Sequence, residues 1–178
     1  FACANPDPEI KPELIQEVRD DAIIATGRSD YPNQVNNLIG FPYIFRGALD
    51  VRAKAINEEM KVAAANAIAL LARENVPDEV VAAYGGDRPR YGKSYIIPST
   101  FDPRLISVIP AAIAEAAMKS GAARKKIEDL ELYKDQLSNR LDPSMSIMQG
   151  INAKIRKNPK RVIFAEGEDE NMLKAAIE

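Results

Sequence analysis

Two compact apolar runs, FACA at residues 1–4 and AIIAT at residues 22–26, most constrain how this chain can fold. Each is halted by turn-forming residues, Asn5-Pro6-Asp7-Pro8 after the first and Gly27 after the second. A fully apolar run that short reads as a strand buried on both faces, which is the habit of parallel sheets. Between the runs, Pro12 is suited to the first turn of a helix reaching about Arg19, with Leu14, Ile15 and Val18 on one face. About 17 residues separate the two strands, enough for a right-handed βαβ crossover. The expected architecture is α/β, the later half of a doubly wound domain. In it the two strands lie side by side and parallel, and Cys3, inside the first, is an inert core thiol.

Beyond Thr26 the pattern turns helical. A polar loop, GRSDYPNQVNN, leads into FPYIFRGALDVRA, read as a short helix with irregular ends. Asn57 is placed to cap a strong helix from Glu58 to about Glu74, with Met60, Ala64, Ile68 and Leu71 along its packing stripe. Pro77–Tyr84 reads as a short helix, and YIIP at 95–98 is too short to assign. Pro103 opens an Ala-rich helix to about Ser120, kinked at Pro110 and stopped by Gly121. Asp129–Leu141 is amphipathic, and Pro143–Lys157 is a further helix candidate. The basic stretch KNPKR then precedes RVIFAEGEDE, a fresh strand, turn and helix start, which sets a domain boundary near Asn158–Lys160.

Composition removes several classes of chemistry. The chain has no His, so imidazole zinc sites, His-based triads and imidazole bases are excluded from it. A single Cys rules out an internal disulfide framework and agrees with a reducing compartment. The net charge of −2, with no basic stripe, speaks against nucleic-acid binding. No apolar stretch approaches the ~20 residues of a membrane span, and no signal peptide is read, so a cytoplasmic setting is expected. Phe1 at the start and the uncapped MLKAAIE at the end suggest a stretch from inside a longer polypeptide.

In open parallel sheets, ligands bind beyond the carboxyl ends of the strands. Carboxamides stand at both visible ends: Asn5 after the first strand, and Asn33, Gln34, Asn36 and Asn37 after the second. A carboxamide donates and accepts while staying neutral, so it can orient a carboxylate, a hydroxyl or a ribose without shifting nearby pKa values. Asn is also the residue of turns and helix caps. From chemistry alone this is a polar small-molecule site. The loop acids Asp7, Glu9 and Asp30 are weak Mg²⁺ candidates. Arg88, Arg90 and Lys93 are equally weak candidates for an anion. No G-x-G-x-x-G fingerprint is present, and Gly85-Gly86 does not replace it.

The runs FACANPDPEI and IIATGRSDYPNQVNNLIGFPYIFRGALDVRAKAINEEMKVAAANAIALLA closely resemble the later part of the nicotinamide-binding domain of bacterial malic enzymes. IIPSTFDPRLISVIPAAIAEAAMKSGAA resembles that family's closing helices, so the likeness covers about Phe1–Ala123. RVIFAEGEDENMLKAA resembles the opening of a phosphate acetyltransferase-type domain, the usual C-terminal addition in the large, mostly NADP-dependent bacterial members, where it is commonly regulatory. The resemblance implies three regions: residues 1–123 as the distal part of a Rossmann-like NAD(P)-binding domain, 124–160 as a helical linker, and 161–178 as the start of a second α/β domain.

It also implies a reaction and a residue assignment. The reaction is oxidative decarboxylation of (S)-malate to pyruvate and CO₂ with reduction of NADP or NAD, aided by Mg²⁺ or Mn²⁺, in a homo-oligomer. Asn5 corresponds to the Asn of the family's N-P strand end, and Asn36 and Asn37 to its paired Asn. These residues are expected at the malate (Asn5, Asn36 and Asn37) and at the nicotinamide ribose (Asn5 and Asn37). Asn33, earlier in the loop, is expected to be a tolerant turn residue. The family's catalytic Lys and Tyr, its metal ligands and its glycine fingerprint lie upstream of these motifs, so no catalytic or metal-binding residue is assigned here. This stretch by itself is expected to be inactive. Two other readings compete: an acyl-CoA-sensing or phosphate acetyltransferase-like module beginning at Arg161, and a helical interaction piece without a site. The clustered carboxamides behind an apolar strand favour the oxidoreductase.

Overall fold

The computed structural model describes residues 1–76, 81, 85 and 87–141. Apart from Val81, the helix read at Pro77–Tyr84 lies outside the described residues, as do the helix at Pro143–Lys157, the boundary near Asn158–Lys160 and the strand and helix start from Arg161. In chain order the helices are α1 (Pro12–Val18), a 3₁₀ turn (Asn37–Ile39), α2 (Phe41–Asp50), α3 (Glu58–Leu71), α4 (Leu105–Lys119) and α5 (Leu130–Ser138).

The N-terminal apolar runs pair as expected in direction and neighbourhood, though only at single bridges. Ala2 pairs with Thr26 and Thr26 with Gln34, both in parallel. The Ala2 amide donates to the Ala25 carbonyl at 3.0 Å, and the Val35 amide to the Thr26 carbonyl at 2.8 Å. The loop after the second run thus returns as a third parallel neighbour, which was not legible in the sequence. Thr26 stands in the middle, fully buried.

The expected core burial of the first run and of α1 is not seen. In the first run only Ala2 is buried, while Phe1 and Cys3 are exposed, so Cys3 is not a core thiol here. Alternation along an extended chain sends Cys3 to the face opposite Ala2, and no described residue covers that face. On α1, Pro12 is buried and Ile15 half-buried, while Leu14 and Val18 face solvent.

The helices build the core. Asn57 accepts a hydrogen bond from the Met60 amide at 3.1 Å, satisfying an orphan donor at the start of α3, and Glu58 and Glu59 complement its dipole. The α3 residues Met60, Ala64, Ala67 and Leu71 are buried, at helical spacing, with Ile68 half-buried beside them. α4 is the central helix: Leu105, Ile109, Ile113, Ala114 and Ala117 are sealed from solvent, against α2, α3 and α5. Pro110 lies inside it, and Gly121, at φ +73°, ends the run as a left-handed glycine should. Tyr133 and Leu137 of α5 complete the same core. The exit of α2 is tied to the exit of α4, since the Val51 carbonyl accepts from the amides of Arg124 and Lys125, each at 3.0 Å.

Candidate functional site

The three parallel neighbours leave their bridges in one direction. Asn5 comes three residues after Ala2, and Asn37 three residues after Gln34, while Gly27 directly follows Thr26. These residues therefore share the carboxyl edge of the paired segments. A Cβ added to Gly27 would stand 3.3 Å from the Cys3 carbonyl oxygen, so the backbones run closely side by side there. Asn5 is joined to Pro6 by a cis peptide bond. The turn that follows is closed by Glu9, whose carboxylate accepts from the Ala4 amide at 3.1 Å; backbone hydrogen bonds hold the Glu9 carboxyl below its usual pKa.

Asn36 and Asn37 form part of an open depression of about 370 Å³ whose other walls include Val35, Phe41, Ile44 and Ile97. The Asn36 Oδ1 accepts from the Leu38 amide at 3.0 Å, capping the 3₁₀ turn. That bond fixes the carboxamide and leaves its Nδ2 donors to meet an anionic or carbonyl oxygen. Asn37 is the exposed first residue of the turn. Asn5 does not line this depression, so Asn36 and Asn37 are brought together, and Asn5 joins them only in sharing the sheet edge.

The other carboxamides of the loop are structural. Gln34 donates to the Gly27 carbonyl at 3.3 Å. Asn33 departs most from expectation. It is 6% exposed, adopts φ +57°, and donates to the carbonyls of Ile24 at 2.9 Å and Lys93 at 2.7 Å. Its Oδ1 accepts from the Ile96 amide at 2.8 Å. A residue with all three bonds made to distant backbone is a brace, not a tolerant turn position. The sequence signal was faint: Asn after Pro, the residue type that best tolerates the left-handed region.

The remaining candidates scatter. Asp30 takes a two-pronged hydrogen bond from Arg28, at 2.8 and 2.7 Å, which holds its carboxyl low. Arg88 donates to the Val76 carbonyl at 2.8 Å, Arg90 is exposed, and Lys93 reaches the Asp20 carbonyl. These basic groups do not converge on an anion site. Among the described residues no group of three His, Cys, Asp or Glu gathers to hold a metal ion. Also among them, no helix is long and apolar enough to cross a membrane. A second depression, of about 220 Å³ and lined by Glu13, Gln16, Tyr31 and Lys93, holds none of the site carboxamides Asn5, Asn36 and Asn37. In it the Tyr31 hydroxyl donates to Glu13 at 2.7 Å, a bond that depresses the Glu13 pKa.

Comparison with known proteins gives the context of this edge. No protein-family model matches the chain. The NADP-dependent malic enzyme of Rhizobium meliloti (strain 1021) is 65% identical over 177 residues, covering 99% of this chain and 23% of that protein. The NADP-dependent malic enzyme of Escherichia coli (strain K12) is 54% identical over 178 residues, 100% of this chain and 24% of that protein. An NAD-dependent malic enzyme of Rhizobium meliloti is also 54% identical, over 99% of this chain and 23% of its own length. Among solved structures, the malic enzyme from Pyrococcus horikoshii Ot3 superposes with a TM-score of 0.66 at 41% identity, covering 88% of this chain and 32% of that one. The Entamoeba histolytica malic enzyme gives 0.65 at 32% identity, over 99% of this chain and 32% of that one. The chain thus spans about a quarter of the curated relatives it matches, and along its whole length it corresponds to a segment of the bacterial malic enzymes.

Proposed function

We propose that this segment supplies the distal, carboxamide-bearing part of the NAD(P)- and malate-binding domain of a malic enzyme that oxidatively decarboxylates (S)-malate to pyruvate and CO₂. The observation that carries the reading is the parallel register Ala2–Thr26–Gln34, with Asn5, Asn36 and Asn37 just beyond it. The carboxyl edge of parallel segments is where such sheets bind ligands.

The residues present fit a nicotinamide nucleotide. Neutral carboxamides beside the apolar walls of Ile44 and Ile97 suit an amide-bearing ring and a ribose. Asn5 and Asn37 hold the nicotinamide ribose. Asn5, Asn36 and Asn37 orient malate, the Asn36 Nδ2 donating to its carboxylate while Leu38 fixes the Oδ1. When bound, the nucleotide supplies the hydride acceptor. Neutral donors suit this step because they add no charge beside malate C2 as its hydride departs and the hydroxyl, giving up its proton, becomes a carbonyl. The described residues do not fit the Mg²⁺ or Mn²⁺ of such enzymes, since no acidic cluster forms among them. In this reading, on the family resemblance, the metal ligands and the catalytic Lys and Tyr lie upstream in the full-length protein.

Within the reading, the preferred nucleotide is NADP, supported by the 65% identical relative, although an NAD-dependent relative at 54% is also near. The enzyme is a cytoplasmic homo-oligomer, in which residues 1–123 belong to the cofactor domain, 124–160 link, and 161–178 open a phosphate acetyltransferase-like domain. The test is an assay of the full-length protein with malate and either nucleotide, with Mg²⁺ and again after chelation. Malate-dependent NADPH and pyruvate formation that stops on chelation and returns with Mn²⁺ is the expected result. Absence of malate-dependent reduction with both nucleotides would reject the reading.

A further inference from the structure

Asn33 joins two stretches that both line the depression. It stands three residues before Asn36 in the loop that carries the site carboxamides, and its own carboxamide clamps the 93–97 segment through the Lys93 carbonyl and the Ile96 amide. Ile97, directly after that amide, lines the depression together with Asn36 and Asn37. The third bond, to the Ile24 carbonyl, anchors the same side chain to the run that ends at Thr26. The bridge from Thr26 to Gln34 then leaves little play between Asn33 and Asn36. One buried side chain thus references both walls to the paired segments.

We infer that Asn33 is a positioning residue for the malate and nicotinamide site, acting through the placement of Asn36, Asn37 and Ile97 rather than by touching either ligand. The inference rests on the assignment of Asn36 and Asn37 to that site. A carboxamide is needed because the clamp uses two donors and one acceptor at a left-handed backbone position. Asp keeps the shape and the acceptor but loses both donors, and Gly keeps the backbone conformation but loses the clamp.

The experiment compares Asn33→Asp, Asn33→Gly and Asn37→Ala in the full-length enzyme by steady-state kinetics on the folded protein and by thermal melts. A core control, Ile113→Val in α4, lowers stability at a residue that does not line the depression. Both Asn33 variants are expected to raise KM for malate and to lower kcat/KM by about tenfold or more, as a displaced hydrogen-bonding wall does. The control is expected to lower the melting temperature and leave the KM of the folded enzyme unchanged. Asn33 variants that melt earlier but keep wild-type KM and kcat/KM overturn the inference, because a brace confined to stability gives that pattern. If Asn37→Ala is impaired and the Asn33 variants are not, only the positioning role fails. If Asn37→Ala is itself unimpaired, the site assignment fails and the inference falls with it. Should neither Asn33 variant yield folded enzyme, Ile97→Ala decides: a raised malate KM supports the clamp, and unchanged kinetics overturns it.

Discussion

Gly47 of α2 lies so close to Pro110 of α4 that a Cβ added to the glycine would stand 2.5 Å from the proline carbonyl oxygen and 2.8 Å from the Cβ of Ile113. The obstacle is backbone, which cannot swing aside as a flexible side chain does. The helix crossing that closes the core therefore depends on a residue without a side chain. Gly47→Ala is expected to destabilise the full-length enzyme by about 1–3 kcal/mol through overpacking, despite the better helix propensity of Ala. A thermal melt equal to or above wild type would show that α2 and α4 do not approach this closely.

Asp102 and Arg104 form a buried ion pair. The Asp102 side chain is fully buried and Arg104 largely so, with Arg104 Nη2 at 2.6 Å from Oδ2. Asp102 also accepts from the Arg104 amide at 3.0 Å, just before α4 begins. Asp102→Ala takes the carboxylate from the largely buried Arg104 guanidinium, which keeps its bond to the Asn75 carbonyl, and removes that acceptor, for an expected loss of about 3 kcal/mol. Asp102→Asn, which keeps an acceptor, is expected to lose less. Chemical denaturation of both variants checks the order, and equal losses would contradict it.

At the start of α3, Asn57 caps the Met60 amide through Oδ1 and donates from Nδ2 to the Ser120 hydroxyl at 2.9 Å. Asn57→Ala is expected to cost about 1 kcal/mol and Asn57→Asp less, because Asp preserves the cap. The two melting temperatures, measured together, are the check; an Asp variant as weak as Ala would mean that the contact to Ser120 dominates.

Burial pushes the Tyr133 phenol above its ordinary pKa, and its hydroxyl donates to Asp50 at 2.7 Å. A raised folded-state pKa contributes stability that is complete below the unfolded value of about 10 and is lost as pH rises through the folded value. Tyr133→Phe is expected to cost about 1 kcal/mol at pH 7, with the gap to wild type narrowing above pH ~10. Melts across that range test the sign, and a gap that widens would contradict it.

The helices were legible because their signals are local. Asn57 before two Glu, Pro12 at a first turn and Gly121 after an Ala-rich run each act within a few residues, and each marks an observed boundary to within a residue or two. The parallel adjacency of Ala2 and Thr26 followed from run length and spacing. The burial of Leu14, Val18 and Cys3 did not follow, because burial needs a partner surface and composition cannot say whether the described residues supply one. The third neighbour at Gln34 and the clamp at Asn33 were hidden for another reason. Both depend on contacts between residues far apart in sequence, Asn33 with Lys93 and Ile96, and one polar loop gives no local sign of which carboxamide turns inward.

Kinetics of Asn37→Ala in the full-length enzyme test the central claim most directly. If the carboxamide at the edge of the paired segments orients malate against the nicotinamide, its loss removes a hydrogen bond worth about 1–3 kcal/mol, or roughly a 5- to 150-fold drop in kcat/KM. Because Asn37 is exposed at the start of its 3₁₀ turn, the melting temperature is expected to stay near wild type. Wild-type kcat/KM for malate and nucleotide in the folded variant would contradict the account.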